Sequence, residues 1–252
     1  DLIGKIVKFN NSQNKLQAAD YRSGDPTQDR LRTEFSTIPN AEYEGGRRGG
    51  ASDAIKRSRY TLSSYTVAQS LTAFHGDPVT AYNKKSDIWT NDKTYLSIFT
   101  DRTTAFHIVF CYSLLEAINE RKFRLMAQQK KNDNSLIEIE QKTLAFLNRR
   151  GSSFLLIYTV AQCLETILGK PIPNKFDLRF KKNLSPEDAK LMWIPILDVV
   201  LPLTTQLDPA FLKGGISSEN SKSAVQNFAG VFAAIADAQK TKFAKKKKKI
   251  SL

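Results

Sequence analysis

Four times in this chain a side chain that accepts hydrogen bonds stands directly before a proline: Asp25-Pro26, Asp77-Pro78, Ser185-Pro186 and Asp208-Pro209. The acceptor can take a free N–H of a first helical turn. Proline, with no N–H of its own and φ already near the helical value, fits best at the first helical position. A chain punctuated in this way is committed to helices. After the first pair, Leu31 and Phe35 lie one turn apart on a short amphipathic segment. From Ser64, the residues Val67, Ala68, Leu71 and Phe74 recur at helical spacing, and Gly76 stands where a left-handed C-cap is wanted. Asp77 then opens the next helix.

Asp101 is placed to cap a long helix from about Arg102 to Lys130, apolar all round in its first half and therefore buried on several sides. A helix from about Ser135 ends at Arg149 and Arg150, cations suited to the negative end of its dipole, and another runs from Ser153 to Gly169. After the loop "KPIPNKFDLRFKKNL", Ser185 and Asp188 form a capping box. Pro195 and Pro202 inside that helix predict a break, so "WIPILDVVLPL" reads as two short buried helices. The last helix runs from about Asn220 to Gln239, with Val225, Phe228, Phe232 and Ile235 on one face. The fold expected is mainly α, a multi-helix domain with a small strand-containing N-terminal portion. The strand evidence is the short apolar run before "NNSQNKL" at residues 10–16.

Composition bounds the function classes. With 252 residues, 41% of them apolar, the chain can fill a packed core. The apolar stretch from Ala105 to Ile118 is interrupted by His107, Ser113 and Glu116, and no run reaches the roughly 18 apolar residues of a membrane-spanning helix. No membrane span is therefore expected. Cys111 and Cys163 each sit in an apolar helical pattern, which fits two reduced core thiols in a cytoplasm. The net charge of +13 is uneven: residues 239–252 hold seven lysines and no acid. The run Lys245–Lys249 repels itself and reads as a solvated, disordered tail with a salt-sensitive attraction for phosphate.

Catalytic material is sparse. Glu140 and Lys142, with Asp133 upstream, match the acid-x-lysine half of a restriction-type metal site. Such a site needs both side chains on one face of a strand, whereas their surroundings fit a helix on which positions two apart diverge. His75 and His107 belong to different helices and show no metal-ligand spacing. His107 reads as a hydrogen-bonded core histidine, and His75, at a helix C-terminus, as a residue suited to the dipole. No catalytic residue, metal or cofactor is expected within this chain.

Binding chemistry is better represented. Asn10, Asn11 and Gln13, flanked by Lys8 and Lys15, can hydrogen-bond adenine in a bidentate way while the lysines meet phosphate. They can equally form Asx-turns and satisfy backbone groups at a strand's exit. The glycine-rich "GGRRGG" loop carries Arg47 and Arg48, and Arg57 and Arg59 follow, with Tyr43 and Tyr60 at its ends. Cations interleaved with aromatics are the composition of a nucleic-acid patch.

The order of these pieces resembles one family. The run "IVKFNNSQNKLQAADYRSGDPTQDRLRTEF" from Ile6 to Phe35, the glycine-arginine loop after Tyr43, and "AQSLTAFHGDPVTAYNKKSDIW" followed by "YLSIF" are similar to the abortive infection phage resistance (AIPR) proteins. The match covers roughly the first half of the chain; the second half is similar only in being helical. The resemblance implies a role in bacterial antiphage defence, and it implies a longer protein of which this is the C-terminal portion. It supplies no catalytic residues. On this reading residues 1–62 hold a strand, a short helix and the basic loop continuing a missing N-terminal domain. Residues 63–238 form the helical domain, and 239–252 the lysine-rich tail. The function expected is a nucleic-acid-binding or targeting portion without its own reaction centre. A scaffold module docking other defence proteins or itself through helices around "MWIPILDVVLPLT", and a metal-dependent nuclease, are the alternatives.

Overall fold

The computed structural model describes residues 18–22, 24–44, 61–131, 136–204, 217–238 and 250–251. A 3-10 turn at Ala18–Arg22 precedes α1 (Pro26–Phe35), which Asp25 opens by accepting the Thr27 N–H at 2.8 Å. Strand β1 (Glu42–Tyr43) pairs in parallel with β2 (Thr61–Leu62). Helix α2 (Ser64–Phe74) ends at His75, and Gly76 takes φ +118°, a conformation side chains resist. That turn lets Asp77 open α3 (Pro78–Asn83) at once, its carboxylate accepting the Thr80 N–H at 2.9 Å.

Two short helices, α4 (Asp87–Thr90) and α5 (Asp92–Ile98), lead to the long α6 (Ala105–Lys131). Helices α7 (Glu138–Leu147) and α8 (Ser152–Leu168) are bent 107° from one another. Strand β3 (Arg179–Phe180) precedes α9 (Pro186–Leu203), where the Ser185 hydroxyl accepts the Asp188 N–H at 3.1 Å and donates to the Asp188 carboxylate at 2.7 Å. After α10 (Ser218–Ala238), β4 (Ile250–Ser251) pairs antiparallel with β3, Phe180 opposite Ile250. The chain is thus mainly α, with only short strand pairs among the described residues. Among the described residues no single helix is long and apolar enough to cross a membrane.

Helix α6 is the axis of the packing, touching α1, α2, α7, α8, α9 and β3. Its first half buries Ile108, Phe110, Leu114 and Ile118, as an all-round apolar helix must. Trp193 of α9 lies against Phe110 with ring centroids 4.7 Å apart, and its indole N–H donates to the Ser113 hydroxyl and the Phe110 carbonyl at 3.1 and 3.2 Å. The N-terminal elements share this core. Gln28, fully buried, accepts from the Tyr43 hydroxyl at 2.6 Å and donates to the Tyr95 hydroxyl at 2.9 Å, tying α1 and β1 to α5. Arg22 donates to the Trp89 carbonyl at 3.0 Å and lies 4.4 Å over the Tyr95 ring.

Three expectations change. Helix α6 starts at Ala105, not Arg102, because Thr103 closes a separate turn: its hydroxyl donates to the Ile98 carbonyl at 2.6 Å and accepts the Thr100 N–H at 3.0 Å. Asp101 is therefore not the cap. Helix α9 runs unbroken through Pro195 and Pro202. The carbonyls these prolines orphan belong to Leu191 and Asp198, and Leu191, Pro195, Asp198 and Pro202 form one outward stripe at helical spacing, where water can replace the lost bonds. Last, the residues assigned to a free tail include Ile250–Ser251, which pair with β3; residues 239–249 lie outside the described residues.

The opening turn of α6 is held from α1. Glu34 accepts the Ala105 N–H at 2.8 Å, and Arg30, paired with Glu34 at 2.5 Å, also donates to the carbonyls of Thr100 and Thr103 at 3.1 and 3.0 Å. Glu34→Ala leaves that N–H and the half-buried guanidinium without their carboxylate. We expect urea denaturation to show a loss of about 1–3 kcal/mol. Glu34→Gln, which keeps the acceptor, loses less. Equal losses in the two variants would show that the cap contributes nothing.

Candidate functional site

At the N-terminal end of α6 the fold brings together three parts of the chain far apart in sequence: the end of α2, the start of α6 and the segment 175–180. His75 and His107, read as unconnected from the sequence, meet here with their Nε2 atoms 2.9 Å apart. His107, fully buried, places Nδ1 2.9 Å from the Leu178 carbonyl. A carbonyl only accepts, so Nδ1 carries the proton and neutral His107 offers a bare Nε2. His75 must then donate through its own Nε2–H. The Cys111 sulfur sits 3.5 Å from the same His107 nitrogen.

Every group in this cluster is held neutral. Burial, with His107 and Lys175 nearby, pushes His75 down to about 2; burial pushes His107 down to about 4, against the opposing pull of the Leu178 carbonyl and the Asp177 carboxylate. The dipole reading of His75 is thereby overturned, because a neutral ring gains nothing from the negative end of α2. Burial raises the Cys111 thiol, so no thiolate–imidazolium pair forms, and the cluster holds no activated nucleophile. Among the described residues no group of three or more His, Cys, Asp or Glu is placed to hold a metal ion.

What the histidines do is position the segment beside them. The His75 ring stacks on Phe176 with centroids 3.8 Å apart and planes 18° from parallel, while His107 grips the Leu178 carbonyl two residues on. Phe176, Asp177, Leu178 and Arg179, with Arg102 and Thr104 across from them, line an open cavity of about 410 Å³. Arg102 and Arg179 are exposed; Arg102 reaches Asp177 only at 4.0 Å, and Arg179 lies 5.9 Å from the centre of the Phe106 ring. Lys181 and Lys182, just beyond, are exposed as well. The arrangement is an open groove with two guanidiniums and one carboxylate on its lining and an aromatic wall held by His75.

The residues to which the sequence assigns nucleic-acid contact, Lys8, Asn10, Asn11, Gln13, Lys15, Arg47, Arg48, Arg57 and Arg59, lie outside the described residues. So do the "GGRRGG" loop and Asp133. The described remainder of the acid-x-lysine motif is helical: in α7, Glu140 accepts the Ile137 N–H at 3.1 Å and Lys142 pairs with Glu138 at 2.6 Å. The groove itself carried a sequence signal that went unread. Residues 175–181 alternate strictly, with Phe176, Leu178 and Phe180 apolar between Lys175, Asp177, Arg179 and Lys181, a period-2 pattern of which only Arg179–Phe180 is strand, Lys175–Asp177 being a 3-10 turn.

No protein-family model, curated protein or solved structure matches this chain.

Acid should loosen this cluster. Both imidazoles titrate lower in the folded protein than the ordinary value of about 6.5, so the unfolded chain takes up protons first as pH falls. The stability they contribute is complete above that value and is lost progressively toward pH 4. We expect the thermal midpoint to fall between pH 7 and pH 5, above the range of ordinary carboxylates, and to fall less in His75→Gln. A midpoint flat over that interval would show that the pair is not held neutral.

Proposed function

We propose that this chain is a nucleic-acid-binding or targeting portion of an AIPR-like antiphage defence protein of the bacterial cytoplasm, and that it carries no reaction centre of its own. The order of motifs in its first half supports the family reading. One observation carries the binding reading: the charge is segregated. Of 38 basic and 25 acidic residues, the described stretches hold 22 and 21, which is close to balance. The remaining 16 bases stand against four acids in segments that include residues 1–17, the arginine loop and the lysine run. Chain segments so rich in cations attract phosphate whatever their conformation.

The docking alternative rests on a helix whose exposed apolar surface, its prolines aside, is confined to Leu191 and the half-buried Met192, Ile194, Val199 and Leu203. Trp193, Ile196, Leu197, Val200 and Leu201 of α9 are buried within the protein's own core. The acid-x-lysine nuclease alternative has Lys142 engaged by Glu138 and Glu140 engaged as a helix cap.

Filter binding of the full chain to labelled DNA and RNA across a salt series tests the proposal. Retention at low salt that falls steeply, with a slope set by the phosphates neutralised, is the expected result. Absence of retention at low salt on every nucleic acid refutes it.

A further inference from the structure

We infer that the groove between Arg102 and Arg179 is where a single-stranded nucleic acid seats on the helical body, its phosphates against Arg102, Arg179, Lys181 and Lys182 and one base against Phe176. This rests on the nucleic-acid reading and names a site for it within the packed domain.

The site is marked by cations that converge on one cavity beside an aromatic ring: Arg102 and Arg179 line it together with Phe176. Lys181 and Lys182 form no ion pair among the described residues, and Arg102 reaches its single carboxylate at the outer limit of contact. The cavity lining carries two guanidiniums against the Asp177 carboxylate, Lys181 and Lys182 follow directly in the chain, and a polyanion is attracted to that local excess of positive charge.

Stacking favours a strand over a duplex. The open cavity of about 410 Å³ is large enough to admit a nucleotide, and only an unpaired base can present its face to a ring. Phe176 is half-buried, one face occupied by His75, and it lines the groove where an unstacked base can lie against it. The wall is fixed before any ligand arrives, since His75 stacks behind Phe176 and His107 bonds the Leu178 carbonyl, so little ordering is left to oppose binding. A lipid surface fits less well. Among the described residues the exposed large apolar side chains are Tyr21, Leu96, Phe123, Met126, Ile137, Ile139, Leu191 and Val231, none of them in the segment that forms the groove.

Fluorescence anisotropy of the full chain with a labelled single-stranded 20-mer, the matching duplex and anionic vesicles, each at several salt concentrations, tests the inference. The expected result is tighter binding of the single strand, weakened about tenfold or more in R102A/R179A with a salt slope shallower by about 1.4. Phe176→Leu should weaken the single strand several-fold and leave the slope unchanged, since stacking displaces no counterions. Asp177→Asn, which frees Arg102, should tighten it. Thermal melts accompany each variant, and the two exposed arginines are expected to leave the midpoint unchanged. Wild-type affinity in R102A/R179A, alongside lost affinity when Arg47, Arg48, Arg57 and Arg59 or Lys245–Lys249 become glutamine, overturns the groove while the nucleic-acid reading stands. Absence of nucleic-acid binding by the wild type overturns both, and binding to vesicles alone replaces the strand with a membrane surface.

Discussion

The first turn of α6 has N–H groups that no residue of the helix can satisfy, and the helix is too deeply packed to hand them all to water. Another part of the chain must supply acceptors. Glu34 of α1 takes the Ala105 N–H and Thr104 takes the His107 N–H at 3.2 Å, while Arg30 holds the preceding turn through the carbonyls of Thr100 and Thr103. The constraint works in both directions. Helix α1 is fixed against the body because the start of α6 needs its carboxylate, and α6 starts where it does because Glu34 and Thr104 are there. The core then follows from that placement, with Phe110 meeting Trp193 and Phe180 on one side and Phe74 on another.

The same end of α6 sets up the groove. His107 is the third residue of the helix, and its depth in the core excludes water from the ring. A neutral imidazole with one N–H and one lone pair can join two partners, and here it joins the His75 ring to the Leu178 carbonyl. His75 in turn carries Phe176 on its face. A burial requirement at a helix start thus ends, two contacts later, as the position of an aromatic ring at the surface. Lys175 shows the same environment from the outside: burial lowers its pKa even though Glu165 opposes the shift.

How much of this the sequence discloses depends on whether the signal is local. Asp25, Asp77 and Ser185 act on N–H groups two or three residues away, so their pairing with proline announces the helix start by itself. Gly169, at φ +67°, ends α8 for an equally local reason. Pro195 and Pro202 mislead because the cost of a proline depends on where its orphaned carbonyl points, and only the packed helix shows that both point outward. The turn at Thr100–Thr103 hides the true start of α6 behind Asp101, a good cap by type that the chain does not use. The histidine pair is invisible for a different reason: 32 residues separate His75 from His107, and neither spacing nor type predicts that two helix ends will meet. The alternation at 175–181 is legible for the strand at Arg179–Phe180 but not for the 3-10 turn at Lys175–Asp177, which Asn174 caps and the period-2 pattern does not announce.

The described stretches, with 22 bases and 21 acids, exert little net force on a distant polyanion. On the nucleic-acid reading, attraction over a Debye length then belongs to the cation-rich segments, and it weakens with salt in proportion to the phosphates they neutralise. Orientation needs partners at defined distances, and on the same reading the groove supplies them through Arg102, Arg179 and the Phe176 ring stacked on His75. The two kinds of contact differ in what disturbs them. Salt erodes the first, whereas the second depends on a buried histidine pair that acid disrupts and salt leaves alone. On the nucleic-acid reading, capture then rests on the cation-rich segments and positioning on the groove at the start of α6, and salt and acid separate the two.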